Sequence, residues 1–239
     1  MKLLMTVLMV VLVAGLTAPT HAVLDLGNGT SALVGSDLTD IGDDGVEGSY
    51  ASPDLAGFDA TFFSSNEPGF GGGEFAFNVF DNVLTGGNGK WCCGAANESQ
   101  IVGAVFSNAY QLTSFTVSSA NDVPSRDPSV WRIEGSNDTT TGLDGVWTTI
   151  YNHATPGSDW ATRFQVNQYS PADGDTFLTT AGFTAFRMVT DSTAGGSTSG
   201  AFFQIGEIEF FGTPVPEPAT TTLAVLGLGG LMMRRRRNA

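Results

Sequence analysis

The sequence predicts an all-β fold, an antiparallel sandwich, and three observations lead to this prediction. Glycine supplies 31 of the 239 residues, and Thr, Ser, Asn and Asp separate short apolar stretches, which is typical of a turn-rich β protein. Residues 130–134 alternate apolar and charged side chains, as a half-buried strand requires. No convincing amphipathic helix appears between residues 23 and 213. Short strands with one apolar face must bury it against a second sheet.

The strand pattern is clearest around Trp131 and Ile133, which alternate with Arg132 and Glu134. Three further segments have comparable length and are rich in β-branched or aromatic residues. They are residues 146–151, 183–190 and 202–211. We predict that each forms a strand and that the turn residues between them connect the strands.

The N-terminus reads as a secretory signal peptide. Lys2 supplies the positively charged n-region, residues 3–16 form the apolar h-region, and Thr20-His21-Ala22 is a small-residue cleavage site. We predict cleavage by signal peptidase after Ala22. The signal peptide is then residues 1–22, and residues 23–213 are enough for one domain with a substantial core.

The C-terminus, residues 214–239, combines three features. Pro216-Glu217-Pro218 is extended and open to a protease, because proline disfavours helix in the residue before it. Residues 219–233 carry no charge, and as a helix they would be only ~22 Å long, which suits a transient rather than a permanent membrane anchor. The four arginines at 234–237 would stay in the cytoplasm and leave the rest of the chain on the far side.

This arrangement of Pro216-Glu217-Pro218, hydrophobic helix and arginine cluster resembles the PEP-CTERM sorting signal of bacterial surface proteins. The resemblance implies recognition by an exosortase, removal of the tail after transient membrane insertion, and delivery to the cell surface or extracellular matrix, commonly beside exopolysaccharide. An ordinary C-terminal tail anchor is the alternative. It explains the helix and the arginines but leaves the Pro-Glu-Pro segment unaccounted for.

The mature region is strongly acidic. Of the 24 acidic and 10 basic residues, Glu217, Lys2 and the four terminal arginines lie outside residues 23–213, which leaves 23 acids, 5 bases and a net charge of −18. Nucleic acid binding needs clustered Lys and Arg, so we exclude it. The acidity itself is compatible with solubility, with repulsion from anionic surfaces and with carboxylates that bind divalent cations, and a solvated surface is the default expectation.

The two cysteines, Cys92 and Cys93, are adjacent, so no conventional disulfide framework is possible. Three states remain open: a strained bridge between neighbours, two reduced apolar side chains in a loop, and an intermolecular bridge. The fold must therefore be stabilised by packing.

A second resemblance covers about residues 77–212, where five landmarks occur in order and at matching spacing. They are Phe77-Asn78-Val79-Phe80-Asp81 followed by Lys90-Trp91, Asn121 to Pro128, Trp131 to Asp138, Phe186-Arg187-Met188, and Gln204 to Gly212. Together they resemble the discoidin, or coagulation factor 5/8 type C, domain. The resemblance implies an eight-stranded, galactose-binding-like jelly-roll sandwich. It also implies a non-catalytic domain that binds glycans or lipid headgroups through loops at one end.

The same resemblance implies a structural Ca²⁺ held by Asp81 and Glu207 with backbone carbonyls. Two carboxylates and carbonyls of the Gly-rich turn at residues 85–89 suit calcium, which takes six to eight oxygens. Asn82 replaces the usual glycine, which puts the loop geometry in question, and Glu209 is an alternative ligand two residues beyond Glu207 on the same face.

A second acidic segment, residues 37–47, does not fit the EF-hand calcium loop. Counted from Asp40, Gly45 occupies the sixth position as required, but Gly42 and Ala51 stand at the third and twelfth positions, where ligands are needed. We therefore expect a solvated acidic loop. Its acids are Asp37, Asp40, Asp43, Asp44 and Glu47.

Loop aromatics beside charged groups are the natural sugar-binding candidates, because sugars present apolar faces to rings and hydroxyls to polar groups. Trp91, Trp160 and Arg163 fit this description, although a core position for either tryptophan is the competing interpretation. Trp131 and Trp147 are expected in the core.

Catalysis has little support in the sequence. His153 is the only histidine after residue 22, and no Gly-x-Ser-x-Gly segment is present. We therefore predict a protein that is not an enzyme, namely an exported carbohydrate-binding module. A structural or adhesive matrix protein without a small ligand is the alternative, and a glycoside hydrolase with a carboxylate pair is a remote one.

Overall fold

The computed structural model describes residues 23–42, 58–66, 73–84, 89–95, 98–196 and 202–216. The predicted signal peptide and the sorting signal beyond Pro216 lie outside these residues. Within the described ranges, no helix has the length and apolar character needed to cross a membrane.

Ten strands make up the described part of the chain, joined by loops and four short 3-10 helices. The strands are β1 (Leu24–Asn28), β2 (Ala60–Ser64), β3 (Trp91–Ala95), β4 (Gln100–Ser118), β5 (Pro128–Ser136), β6 (Thr148–His153), β7 (Gln165–Tyr169), β8 (Gly182–Thr193), β9 (Phe202–Ile205) and β10 (Ile208–Pro214). The 3-10 helices are Thr30–Ala32, Ala76–Phe80, Pro124–Arg126 and Pro171–Asp173. The predicted all-β class is confirmed.

Eight strands form one curled antiparallel sheet, and β3 and β9 form a separate antiparallel pair. The order in the large sheet is β1-β7-β4-β8-β5-β6, with β2 and β10 also paired to β4. This architecture is consistent with a jelly-roll sandwich. Strands β1 and β2, from the acidic N-terminal region, belong to the same sheet as the strands of the C-terminal half.

Strand β4 is the long central strand of the large sheet and pairs with four other strands. Its 19 residues pair with β2 and β8 in the first half and with β7 and β10 in the second. Gly103 permits the close packing of the first half, because a Cβ there would stand 2.4 Å from the Phe186 carbonyl oxygen and 2.5 Å from the Phe63 ring.

Aromatic side chains fill the core. Phe115 stacks on Tyr169 with ring centroids 5.0 Å apart and meets Trp131 edge-on at 6.0 Å. Tyr151 lies 5.4 Å from Trp131. Each such ring buries a large apolar area, which stabilises the fold without a disulfide framework.

The predicted strands around 130–134 and 183–190 lie inside β5 and β8, and two other predictions shift. Strand β6 begins at Thr148, because Val146 and Trp147 belong to the preceding loop, where Trp147 is half-buried with its ring 3.9 Å from the Arg187 guanidinium. Trp147 is therefore not a core residue. The predicted strand over 202–211 is divided in two at Gly206 and Glu207.

Candidate functional site

The structure brings Asp81 and Glu207 together. Asp81 ends the 3-10 helix Ala76–Phe80, and Glu207 lies in the break between β9 and β10. The two side chains are buried, and the Asn82 backbone N–H donates to Glu207 Oε1 at 3.0 Å. Asp81 therefore lies next in sequence to a backbone group that contacts Glu207 directly.

Backbone geometry explains how this turn forms without glycine. Asn82 has φ 58°, in the left-handed region that asparagine tolerates better than most residues. Asp81 Oδ1 accepts the Val83 N–H at 3.0 Å, which closes a tight turn around Asn82. The substitution of asparagine for the usual glycine is thus compatible with the turn.

Glu207 is a buried carboxyl group in a negative environment. Burial raises the pKa of Glu207 well above its ordinary value, and the charge of Asp81 raises it further. Its Oε2 atom has no hydrogen-bond partner among the described residues. An oxygen of this kind is costly to bury and is a suitable ligand atom for a hard cation.

Glu209, the predicted alternative ligand, already accepts three hydrogen bonds. It accepts hydrogen bonds from Gly35 N at 2.6 Å, Val34 N at 3.2 Å and Thr116 Oγ1 at 2.5 Å. It therefore holds the loop before residue 36 against β4.

The expectation of a solvated acidic loop is wrong for Asp37 and Asp40, both of which are buried. Asp37 Oδ1 accepts the Thr39 N–H at 2.5 Å and the Thr39 hydroxyl at 2.7 Å, and Leu38 N donates to Phe210 O, which fixes the segment on β10. Burial raises the pKa of Asp37 to about 7 despite these hydrogen bonds. Asp43, Asp44 and Glu47 lie outside the described residues.

Asp37 and Glu209 add their negative charge to that of Asp81 in raising the Glu207 pKa, so these four carboxyl groups share one region. Among the described residues, no three His, Cys, Asp or Glu side chains are arranged to hold a metal together. A cation here would thus take two carboxylates, with its other ligands from backbone carbonyls.

Trp91 and Trp160 are core residues and are not available to a ligand. Trp91 is fully buried with its ring 4.8 Å from Phe203, and Trp160 is buried with its indole N–H donating to Val117 O at 3.2 Å. Neither indole therefore has a face exposed to a sugar, contrary to the prediction from sequence.

Arg163 has a structural partner. Its guanidinium donates to both carboxylate oxygens of Asp127, at 2.8 and 2.7 Å, and to the Asp122 carbonyl at 3.0 Å. Asp127 is fully buried. The pair joins the β4–β5 and β6–β7 loops, which is a bracing role.

Cys92 is disulfide-bonded and fully buried, and Cys93 is the only other cysteine in the sequence. Of the three states considered, the reduced pair is therefore excluded in this structure. The Arg126 guanidinium lies 4.0 Å from Cys92 Sγ and 5.4 Å from the centre of the Phe202 ring.

A pocket of about 370 Å³ opens beside β6, where the β6–β7 and β7–β8 loops meet the start of β1. We call it the Tyr151 pocket. Its walls include Val23, Tyr151, Asn152, His153, Asp159 and Asp175. No lysine or arginine is among its lining residues.

His153 is fixed in the wall of the Tyr151 pocket. Its Nδ1 lies 3.0 Å from Ser129 O, its Nε2 lies 2.5 Å from Asp159 Oδ2, and its ring stacks on Trp131 at 5.0 Å. Both ring nitrogens lie within hydrogen-bond distance of acceptor oxygens. Neither nitrogen is left to activate a hydroxyl nucleophile.

The other polar groups of the pocket are also held in place. Burial raises the Tyr151 pKa, and the charges of Asp175 and Asp159 raise it further, so its phenol stays protonated and can donate. Asp175 Oδ2 accepts the Ser170 N–H at 2.8 Å. Sequence reasoning missed this pocket because residues from three separated segments form it and no local motif marks them.

Comparison with known proteins gives only structural likenesses. No protein-family model matches the sequence, and no curated protein matches it either. Chitosan-binding module 1 of a chitosanase/glucanase from Paenibacillus sp. IK-5 is 17% identical, with a TM-score of 0.45, over 64% of this chain and 96% of that one. A family 62 carbohydrate-binding module from Clostridium thermocellum is 18% identical, with a TM-score of 0.47, over 65% and 95%.

A family 32 carbohydrate-binding module from Clostridium perfringens NanJ, in complex with galactose, is 16% identical, with a TM-score of 0.43, over 64% of this chain and 93% of that one. All three TM-scores lie below 0.5.

Proposed function

We propose that the processed protein is an exported carbohydrate-binding module that holds a glycan, without cleaving it, at the cell surface or in the extracellular matrix. The observation that carries this proposal is the Tyr151 pocket, in which fixed donors and acceptors surround a tyrosine. Sugar recognition needs this combination of fixed polar groups and an aromatic side chain. The discoidin-like landmarks of the sequence imply the same class of ligand.

The chemistry of the Tyr151 pocket favours neutral sugars. The carboxylates of Asp159 and Asp175 accept hydrogen bonds from sugar hydroxyls, and the Tyr151 phenol and the Asn152 amide can donate. Anionic sugars are disfavoured by the two carboxylates and by the net charge of −18 over residues 23–213.

We propose that Ca²⁺, held by Asp81 and Glu207, stabilises the module. The site fits a calcium ion because Glu207 is buried with one oxygen lacking a hydrogen bond, and because no described lysine or arginine forms an ion pair with it. A bound ion would neutralise the mutual repulsion of the two carboxylates. Its role is structural, since these residues lie outside the Tyr151 pocket.

Export is the remaining part of the proposal. Cleavage after Ala22, recognition of Pro216-Glu217-Pro218 by an exosortase, and transient insertion of residues 219–233 would deliver the domain outside the cell. Intact-mass measurement of the protein recovered outside the cells tests this. Mature protein that retains the four terminal arginines would contradict removal of the tail.

The binding proposal is tested with the processed protein on a panel of neutral, amino and acidic glycans. We expect a neutral glycan to bind and Asp175→Asn to weaken it about tenfold or more, because a charge-assisted hydrogen bond to a sugar hydroxyl is lost. The matched control is Asp25→Asn, which removes an exposed carboxylate outside the pocket.

Three results would contradict the proposal. A folded protein that binds no glycan favours the structural or adhesive role. If Asp175→Asn leaves glycan binding unchanged, the glycan binds outside the Tyr151 pocket. Hydrolysis of a glycan by the purified protein, abolished by replacing a carboxylate, would establish a glycoside hydrolase.

A further inference from the structure

The C-terminal end of β10 is fastened to the domain through Val215, the residue that follows the strand. Pro214 pairs with Tyr110 of β4, and the Val215 N–H donates to the Ala109 carbonyl at 2.9 Å. Proline has no backbone N–H, so only Val215 can donate a hydrogen bond between positions 214 and 216. The backbone is therefore held up to the residue before the Pro-Glu-Pro segment.

The side chain of Val215 makes a second attachment, to Gly182 at the start of β8. A Cβ added to Gly182 would stand 2.3 Å from Val215 Cγ2 and 3.1 Å from Val215 Cβ. Glycine is thus needed at position 182 while Val215 stays in place, because it permits this close approach. We call the hydrogen bond to Ala109 and the contact with Gly182 together the Val215 latch.

The Val215 latch lies close to both functional segments of the predicted sorting signal. The first residue of the predicted membrane segment, Ala219, follows Val215 by four positions. An extended chain spans at most about 3.6 Å per residue, so the two residues can be no more than about 14 Å apart. A protease that acts on Pro216-Glu217-Pro218 while the tail is inserted must therefore work in a short gap between the domain and the membrane.

Proteolysis requires backbone that has opened away from the fold, and its rate follows the population of the open form when reclosing is fast. We propose that the Val215 latch slows removal of the tail from the folded domain, because residues 216–218 become accessible only when the end of β10 leaves Ala109 and Gly182. Folding of the domain and removal of the tail therefore compete. The chain is processed fastest before β10 has paired with β4.

This inference rests on the proposed removal of the tail and concerns its regulation. Hydrolysis of a bond in residues 216–218 adds one water, leaves a carboxylate on the domain and releases the tail with a new amine. The latch controls the rate of this step and takes no part in its chemistry.

Amide hydrogen exchange measures the latch directly, because Val215 has the only exchangeable backbone amide between positions 214 and 216. In the full chain with its tail, we expect this amide to exchange at least about tenfold more slowly than in the unfolded chain. Gly182→Ala should restore fast exchange, because its Cβ displaces Val215. The matched control is Thr180→Ala, at an exposed position two residues earlier, which should leave the slow exchange unchanged.

Pulse labelling in the producing cells measures the rate of tail removal, and intact mass identifies the product. We expect Gly182→Ala to speed removal about tenfold and Thr180→Ala to leave it unchanged. A second variant inserts Gly-Ser-Gly-Ser between Val215 and Pro216, which keeps the latch closed but moves the cleavage segment away from the domain. It should also be processed about tenfold faster, while the slow exchange of the Val215 amide is retained.

Equal rates of removal in the insertion variant and the native chain would overturn the proposal, as would a Val215 amide that exchanges as fast as in the unfolded chain. Should Gly182→Ala fail to fold, the insertion variant decides alone. A tail retained by every form would contradict the proposed sorting, and this inference with it. A tail lost equally fast from all forms would contradict the latch and leave the sorting intact.

Discussion

Asn82 sets the geometry of the carboxylate pair through its backbone angle. Its left-handed conformation directs its N–H to Glu207 Oε1 while Asp81 caps the following turn. We expect Asn82→Gly to retain the fold, and Asn82→Ala to lower the free energy of unfolding by about 1–2 kcal/mol, because alanine disfavours this conformation. Urea unfolding measures the difference, and equal stability of the two variants would contradict it.

Asp37 makes stability depend on pH. Burial raises its pKa from 3.8 in the unfolded chain to about 7 in the fold, so the native state holds a proton that the unfolded state releases. Its stabilising contribution is full below pH 3.8 and is lost as the pH rises through about 7. In calcium-free buffer, we expect this carboxyl group to cost about 2–3 kcal/mol of unfolding free energy between pH 5 and pH 8.

The variant Asp37→Asn tests this contribution. The amide oxygen can still accept both hydrogen bonds from Thr39, but no charge develops beside Glu209 and Asp40. The pH profile of the variant should therefore be flatter than that of the native protein by the stated amount. A variant with the unchanged profile would assign the pH dependence to Glu207 or another neighbour, and Asp25→Asn serves as the exposed control.

At the scale of elements, ion pairs with similar N–O distances contribute differently to the stability of the protein. Arg163 joins two loops through the fully buried Asp127, whereas Arg132 pairs with Asp191 at the surface and with Glu134, which keeps Arg187 as a second partner. Removing the partner of a buried charge costs about 3–5 kcal/mol, but an exposed pair contributes about 0–1 kcal/mol.

We therefore expect Arg163→Ala to destabilise the protein by about 3 kcal/mol and Arg132→Ala by less than about 1 kcal/mol. Chemical unfolding of the two variants side by side measures both. Similar losses for the two would show that the β4–β5 and β6–β7 loops do not depend on the Arg163–Asp127 bridge.

The strands themselves could be predicted in part. Alternation of apolar and charged side chains marked β5, and a β-branched and aromatic run marked β8, because both signals are local. The 19-residue length of β4 and its four partners were not predicted, since they depend on which distant strands pair. The interruption between β9 and β10 at Gly206 and Glu207 was not predicted either, because apolar residues flank it on both sides.

The site residues also differ in whether the sequence contains enough information to place them. The order of the discoidin-like landmarks pairs Asp81 with Glu207, and in the structure the residue after Asp81 donates its N–H to Glu207 Oε1. That these two carboxylates bind calcium stays a prediction. Trp91 and Trp160 were misplaced because a core indole and an exposed one look the same in sequence. Asp37 and Asp40 were expected in solvent because nothing local shows that their loop is bound beneath β10.

For the whole molecule, the balance of acidic and basic residues bears on the proposed calcium site. Residues 23–213 carry five bases, and four of them, Lys90, Arg132, Arg163 and Arg187, are already paired with carboxylates. None of these four forms an ion pair with Glu207 among the described residues. The proposed calcium ion would therefore supply Glu207 with positive charge that these four side chains do not supply.

Melting curves with and without calcium test this at the scale of the molecule. A site with a Kd of about 0.1 mM, at the tight end for extracellular modules, would stabilise the fold by about 2.7 kcal/mol at 10 mM Ca²⁺. We expect a saturable rise in Tm that a chelator reverses and that Glu207→Gln abolishes. Sodium chloride at matched ionic strength separates this effect from screening of the −18 net charge of residues 23–213. An equal rise with sodium, or one that Glu207→Gln leaves intact, would show that calcium acts only as a diffuse counter-ion.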